Sequence, residues 1–288
     1  MKNDVLHTIR RLRETLSKGQ KRVADYILNN SDKAAFMTAS RLGEAAQVSE
    51  STVVRFAGEV GYDGYPSMQK ALQELIRGRL TSVQRIRASR EQTRGADVVA
   101  DVMHRDMESI HAAIEQVDRR EFDRVVERLL KAERIYILGV RSSSFLAGYL
   151  NFYLHLLFQN VVLVQNSAAG EIYEQMIHIG PGDVLIGISF PRYSIMAVNA
   201  VQFAHDRGAE VIAITDSTMS PLYPSATEAL LVRSDMISFV DSMAAPLSLL
   251  NALITELGHR RKEAVDGVFA EMEQVWETYS IFGRSEDE

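Results

Sequence analysis

The sequence predicts an all-α N-terminal domain followed by an α/β domain with a doubly wound, five-stranded parallel sheet. Apolar residues recur only at helical spacing up to about residue 77. From Arg134 onward, short β-branched runs alternate with helical stretches, which is typical of parallel strands with helices on both faces of the sheet. With 288 residues and 46% hydrophobic content, the chain can form two cores. We expect a helical domain at 1–77, a linker at 78–95 and the α/β domain at 96–288.

Two amphipathic helices are predicted first, with apolar positions at Val5, Leu6, Ile9, Leu12 and Leu16, then at Val23, Tyr26 and Ile27. Helices at 38–47 and 50–60 follow, separated by a tight turn, and another spans 67–77. The close pair predicts a helix-turn-helix, and the alternative is an ordinary pair of short helices. Gln47 stands in the turn, where Gly is frequent because a side chain at positive φ costs roughly 1 kcal/mol.

The second helix of this pair is the predicted recognition helix. Its buried stripe leaves small hydroxyls and one guanidinium on the open face, a combination suited to reading the major groove. Ser49 is expected to cap the helix through its hydroxyl, and Glu50 either accepts from cytosine or caps. The buried stripe consists of Val53, Phe56, Ala57 and Val60, facing Leu42 and Ala46 of the first helix. The candidate DNA-binding residues are Ser49, Glu50, Ser51, Thr52 and Arg55, with Lys21 and Arg22 as sequence-independent contacts.

The formal charge divides the chain in the same way. Residues 1–94 hold 17 Lys and Arg against 10 Asp and Glu, a net of +7, whereas residues 95–288 hold 15 against 28, a net of −13. Only the first part offers a surface that attracts phosphate, so we expect a double-stranded DNA operator as its partner.

Composition excludes several classes of function. The absence of cysteine excludes disulfides, thiolate metal sites and a Cys nucleophile, and it fits the cytoplasm. There is no export signal, metal-ligand spacing, P-loop or dinucleotide-binding glycine motif. Polar residues interrupt the apolar stretch 145–164, which favours a buried helix and a strand over a membrane span. We expect no cofactor, no metal and no membrane association.

A long amphipathic helix at 98–116 is predicted to precede the sheet. The predicted strands are 135–138, 161–164, 184–188, 211–214 and 229–232; the helices between and after them are 145–158, 170–178, 195–206, 239–262 and 265–279. The apolar faces of 98–116 and 239–262 are either subunit contacts or intradomain core. A homo-oligomer, dimer or tetramer, is expected because specific operator binding usually uses two half-sites.

Hydroxyl-rich loops follow three of the predicted strands, at 140–144, 189–194 and 215–217. The carboxyl ends of parallel strands share one sheet edge, where open α/β sheets bind ligands. The first two loops each open a helix, and free amides with Ser hydroxyls suit a phosphate or carboxylate, although Ser and Thr are also ordinary caps. We expect a small anionic ligand at this edge.

Segments 16–27 and 42–65, including V-S-E-S-T-V-V-R-F at 48–56, resemble the RpiR family of bacterial transcriptional regulators, and the second half resembles a sugar isomerase (SIS) domain. The resemblance covers nearly the whole chain and implies an oligomeric DNA-binding protein that responds to phosphorylated sugars or related catabolites. The family's G-x-G-x-S and S-x-S-G-x-T loops map onto 139–143 and 189–194, with Arg141 and Arg192 in place of glycine. These cations imply a sugar acid or a doubly anionic effector; the alternative is that each pairs with Asp or Glu.

The rival function is an SIS-type aldose–ketose phosphate isomerase. Such chemistry needs an acid/base residue, and Glu171 is the obvious candidate, since His155 is expected to pack within an apolar helix. Because a DNA-reading domain is attached, we expect a regulator without enzymatic activity. The candidate ligand-binding residues are Arg141, Ser142, Ser143, Ser189, Arg192, Ser194, Thr215, Ser217 and Glu171.

Overall fold

The structure, a computed structural model, describes residues 5–77, 81, 83–84, 86, 97–165, 169–235 and 239–281. The chain divides into two compact units, Met1–Val102 with Met236–Asp241 and Met103–Asp235 with Ser242–Glu288. The predicted linker at 78–95 lies almost wholly outside the described residues.

The first unit is helical, as predicted. Its helices are α1 Val5–Leu12, α2 Lys18–Asn29, α3 Ser31–Ala34, α4 Ala39–Ala45, α5 Glu50–Glu59 and α6 Tyr65–Arg77. The short α3 was not predicted, and α6 begins two residues before its predicted start. Pro66 is compatible with this first turn because its missing N–H would have no helical partner there. Tyr65 Oη donates to the carbonyl of Met37 at 2.6 Å and fixes the start of α6.

The core of this unit draws one apolar stripe from each of the longer helices. Its fully buried large side chains are Ile9, Ile27, Leu42, Phe56, Met68 and Leu72. The helical periodicity of the sequence therefore marked the residues that hold the helix-turn-helix in place.

The remaining elements form an α/β fold. The strands are β1 Ile135–Gly139, β2 Val161–Val164, β3 Val184–Ile188, β4 Glu210–Thr215 and β5 Glu228–Leu231. The helices are α7 Val98–Gln116, α8 Arg119–Lys131, α9 Ser143–Leu157, α10 Ala169–Gln175, α11 Ile195–Asp206, α12 Ala244–Arg260 and α13 Lys262–Thr278. The sheet is parallel throughout, in the order β2-β1-β3-β4-β5. The predicted five-stranded, doubly wound sheet is confirmed.

Alternate residues of each strand enter two cores, one on each face. Ile135 and Ile137 pack with α8, α9 and α12, whereas Tyr136 and Leu138 pack with α10 and α11. All five residues of β1 and of β3 are buried, which explains their continuous apolar runs.

The topology opens a crevice at the carboxyl ends of β1 and β3. These strands are neighbours, but α9 follows β1 onto one face and α11 follows β3 onto the other. The two connecting loops therefore diverge, which is where open α/β sheets leave room for a ligand.

One helix of this part was missed, and two predictions differ from the structure. Helix α8 was not predicted at all. Helix α12 begins at Ala244 rather than at 239. Of the two alternatives for its apolar face, the structure shows intradomain core, because Leu250, Leu253 and Leu257 are buried there. His155 is exposed because it turns away from the buried side of α9. No helix in the described part of the chain is long and apolar enough to cross a membrane.

Candidate functional site

The turn between α4 and α5 is closed by close backbone contacts. The amide of Val48 donates to the carbonyl of Gly43 at 2.8 Å, and a Cβ on Gly43 would lie 2.9 Å from the carbonyl oxygen of Val48. Only glycine allows this approach. Gln47 has a φ of 55°, as expected for its place in the turn, and its carbonyl accepts from Arg22 Nη1 at 3.1 Å.

Ser49 holds the cap position of α5, but the predicted cap hydrogen bond is not formed. Its hydroxyl lies 2.9 Å from both Ser51 Oγ and Thr52 Oγ1 instead. The hydroxyls satisfy one another because all three stand at the cap and in the first turn of the same helix. The result is a cluster of three hydroxyls at the N-terminus of α5, the predicted recognition helix.

The open face of α5 carries the predicted polar residues. Glu50, Ser51 and Arg55 are exposed and Thr52 is half-buried. Arg55 Nε donates to the carbonyl of Ser51 at 3.3 Å, which holds the guanidinium over the first turn. Its other N–H groups have no partner in the described part of the chain, so they are available for base edges or phosphate.

A groove separates the N-terminus of α2 from α5, the predicted recognition helix. Gly19 lets the helices approach, since a Cβ there would lie 3.3 Å from Thr52 Cγ2. Lys21 and Arg22 are the candidate phosphate contacts. Lys21 Nζ lies 3.5 Å from Glu14 Oε2, and Arg22 donates to the carbonyl of Gln47. The groove is lined by Ser17, Gly19, Gln20, Thr52, Arg55, Gly58 and Glu59.

At the carboxyl edge of the sheet, β1 leads directly into α9. A Cβ on Gly139 would lie 2.2 Å from the carbonyl oxygen of Ser143, so glycine is required where the helix returns onto the strand. Ser143 is buried and Ser142, at the cap position of α9, is exposed with no side-chain cap bond. Ser194 holds the same position on α11, also without a side-chain cap bond. Both helix N-termini thus lack a hydroxyl cap.

Two guanidiniums flank this edge. Arg141 has a φ of 59° and is exposed; its carbonyl accepts from Ser144 Oγ at 2.6 Å. Arg192 is exposed in the loop after β3. Among the described residues, neither guanidinium makes an ion pair. This part of the chain therefore does not show the alternative in which each arginine pairs with Asp or Glu.

The loop after β4 is occupied by an internal network. Thr215 is fully buried; its hydroxyl donates to the carbonyl of Ser189 at 2.8 Å and lies 2.8 Å from Ser220 Oγ. Ser217 Oγ accepts from the amide of Met219 at 3.3 Å. The predicted ligand hydroxyls of this loop are therefore engaged within the protein.

Tyr193 ties the β3 loop to the β4 loop. Its phenol donates to Asp216 Oδ1 at 2.6 Å. Burial raises the pKa of Tyr193, and the adjacent carboxylate of Asp216 raises it further, so the phenol stays a donor at neutral pH. The sequence analysis missed this pair because its two members belong to loops 23 positions apart.

Glu171, the candidate base, lies in the first turn of α10, which follows β2. In the strand order β2 is separated from β3 by β1, so Glu171 belongs to the far side of the crevice from Ser189 and Arg192. In the residues that the structure describes, no three His, Cys, Asp or Glu are grouped to hold a metal ion.

Comparison with known proteins adds family relationships to this geometry. Residues 3–77 match the helix-turn-helix domain of the rpiR family, and residues 128–256 match the SIS domain. The HTH-type transcriptional regulator HexR of Pseudomonas aeruginosa is 28% identical over 271 residues, covering 91% of each chain.

Two solved structures are similar as well. The NanR protein of Vibrio vulnificus, complexed with ManNAc-6P, is 25% identical with a TM-score of 0.60, covering 97% of this chain and 100% of NanR. The sugar isomerase domain of an RpiR transcription factor from Sphaerobacter thermophilus is 25% identical with a TM-score of 0.57, covering 61% of this chain and 97% of that domain.

The two domain matches and the similar regulators identify a transcriptional regulator that combines a helix-turn-helix region with a sugar isomerase-type domain. More specifically, the chain belongs to the RpiR family.

Proposed function

We propose that this regulator binds a double-stranded DNA operator through α5 and that a small anionic carbohydrate-derived metabolite, bound at the carboxyl edge of β1 and β3, changes this binding. It acts in the cytoplasm. The observation that carries the proposal is the pair Arg141 and Arg192, exposed and without ion pairs among the described residues. Two cations beside two helix N-termini favour an anion, because the amides and the guanidiniums all donate to its oxygens.

The class of metabolite is inferred from this chemistry and from the ligand of a similar protein. Ser143 and Ser189 are buried at the same edge, and their hydroxyls add neutral donors to the two cations. NanR, which is similar over its whole length, was solved with ManNAc-6P, a phosphorylated sugar. Sugar phosphates and sugar acids are therefore the compounds to test first.

Operator reading is assigned to Arg55 with the hydroxyls of Ser51 and Thr52. Arg55 is the strong bidentate donor on the open face, suited to guanine O6 and N7. Lys21 and Arg22 act on phosphate and affect all sequences alike.

The regulator is proposed to act as a homo-oligomer through α7. Val99, Met103, Met107 and Ile114 share one face of this helix, and each is about 60% exposed or more. An apolar stripe of this kind is unusual on a monomer surface and is favourably buried against a second copy. Two recognition helices then meet two half-sites of the operator.

The effector is proposed to draw the loops after β1 and β3 together, which moves α9 and α11 and alters the spacing of the two recognition helices through the segment 78–95. A ligand shifts DNA affinity only by the difference between its affinities for the two arrangements. We propose no isomerase activity; turnover of an aldose phosphate that disappears in Glu171→Gln would overturn this.

Thermal shift of the full chain tests the effector site. The compounds are glucose 6-phosphate, N-acetylmannosamine 6-phosphate, 6-phosphogluconate and inorganic phosphate. A compound at a hundred times its dissociation constant adds about 2.7 kcal/mol to stability. The double variant Arg192→Ala, Ser143→Ala should lose this shift and its effect on operator binding while binding the operator normally. Lys131→Ala, which removes a cation at the opposite end of the sheet, is the control. An unchanged response in the double variant places the effector elsewhere.

A further inference from the structure

The loop after β3 leaves one residue exposed between buried or half-buried neighbours. Phe190 and Pro191 are buried before it, and Tyr193 is half-buried after it, while Arg192 between them is exposed. The hydrogen bond from Tyr193 to Asp216 fixes the far side of this loop. Arg192 therefore lies exposed at the crevice, and the carboxylate of Asp216 contacts the residue next to it, Tyr193.

The carboxylate of Asp216 is only half used by the protein. Tyr193 Oη donates to Oδ1 at 2.6 Å, and Thr215 Oγ1 lies 3.3 Å from the same oxygen. Within the described part of the chain, Oδ2 of Asp216 accepts no hydrogen bond, and the residue is half-buried. No ion pair between Asp216 and Arg192 satisfies it either. An ionised carboxylate accepts at both oxygens, so one strong acceptor remains open at this edge.

We propose that Asp216, oriented by Tyr193, is a specificity-determining residue of the effector site: its free oxygen accepts a hydroxyl of a polyhydroxylated anion and disfavours a simple anion. This inference rests on the proposed function. A carboxylate close to a bound anion repels it, and the repulsion is offset only by a ligand that also donates a hydroxyl to Oδ2. The site therefore selects a sugar phosphate or sugar acid over inorganic phosphate, which two arginines and two helix N-termini alone would not do.

The test compares two ligands on three variants of the full chain by isothermal titration calorimetry. The ligands are inorganic phosphate and whichever phosphosugar binds the wild type most tightly; the variants are Asp216→Asn, Tyr193→Phe and, as a control, Asp206→Asn. Asp206 is an exposed carboxylate at the end of α11, away from the crevice. The Asn substitution removes the same charge at both positions.

Asp216→Asn should lower phosphosugar affinity roughly tenfold, the loss of a hydrogen bond to a charged group, while phosphate affinity stays or rises. Tyr193→Phe should reduce the phosphosugar-to-phosphate ratio by a few fold because Oδ2 loses its orientation, and Asp206→Asn should change neither. A merely structural role for Asp216 predicts a parallel fall for both ligands, which would overturn the inference. If Asp216→Asn fails to fold, an unchanged ratio in Tyr193→Phe overturns it instead. Failure of the wild type to bind any phosphosugar or 6-phosphogluconate would overturn the proposed function itself.

Discussion

Replacing Gln47 by glycine should stabilise the helical unit. Gln47 has a φ of 55°, in the left-handed region that costs residues with a side chain about 1–2 kcal/mol. Its side chain is exposed and makes no hydrogen bond among the described residues. The hydrogen bond from Arg22 ends on the backbone carbonyl, which glycine retains. The substitution therefore removes strain without removing a contact.

The magnitude follows from two opposing effects. Relief of the left-handed strain contributes about 1–2 kcal/mol. Glycine also increases the conformational freedom of the unfolded chain, which costs about 0.4–1 kcal/mol. The net gain is about 0.5–1 kcal/mol, and because about 4–8 °C of Tm corresponds to 1 kcal/mol in a domain of this size, the Tm of the unit should rise by a few degrees.

Thermal unfolding of the full chain followed by circular dichroism measures this gain. Gln47→Ala keeps a side chain at the same φ and should leave the Tm near that of the wild type. Glu44→Gly, at an exposed position in α4, should lower stability by about 0.5–1 kcal/mol because glycine weakens a helix. A fall in Tm for Gln47→Gly that matches the fall for Glu44→Gly would refute the assignment of strain to the turn.

Four further outcomes are expected. Arg55→Ala should weaken binding to the operator by about 1–3 kcal/mol and relax its sequence preference, and an unchanged footprint contradicts this. Gly139→Ala places a Cβ 2.2 Å from a backbone carbonyl at the start of α9, so melting should show a loss of about 1–3 kcal/mol and the effector-induced shift should vanish. Met107→Glu should reduce the oligomer mass seen by light scattering, whereas Gln116→Glu, exposed off the apolar stripe, should not. Burial raises the pKa of Tyr65 to about 12 from about 10 unfolded, so the unfolded state loses its proton first and stability falls as pH rises from 10 to 12; Tyr65→Phe should remove this component from alkaline melts.

Much of the fold was predictable because its patterns are local. The bounds of β2, β3, α7 and α11 agree residue for residue with their predicted ranges. Strands buried on both faces need continuous apolar runs, and helices with one buried face need apolar residues at three- and four-residue spacing. Either requirement is written in consecutive residues.

The missed elements divide into two kinds. Helix α8 had a local pattern, with Asp118 capping its first turn and Val125, Val126 and Leu129 buried, so closer attention to spacing would have found it. The hydrogen bond between Tyr193 and Asp216 had no local sequence pattern, because it depends on how two loops meet after the sheet has formed. The engagement of Thr215 by the Ser189 carbonyl is of the same kind. Candidate site residues can thus be named from sequence, but their availability to a ligand cannot.

Arg141, at the proposed effector edge, stands where the resemblance to the RpiR family implies a glycine. Among the described residues, Gln47, Arg141 and Ser280 are the non-glycine residues with positive φ, and two of them lie in the proposed DNA and effector sites. Such strain persists where the surrounding structure imposes it, which is common at functional sites. For Arg141 the strain costs about 1–2 kcal/mol. A hydrogen bond to a charged partner contributes about 1.5–3 kcal/mol, so arginine is the better residue here only when an anion is bound. In the free protein, glycine at position 141 would be more stable than arginine. An arginine at this position therefore fits the proposed effector site, in which the ligand-bound state would be the one that regulates.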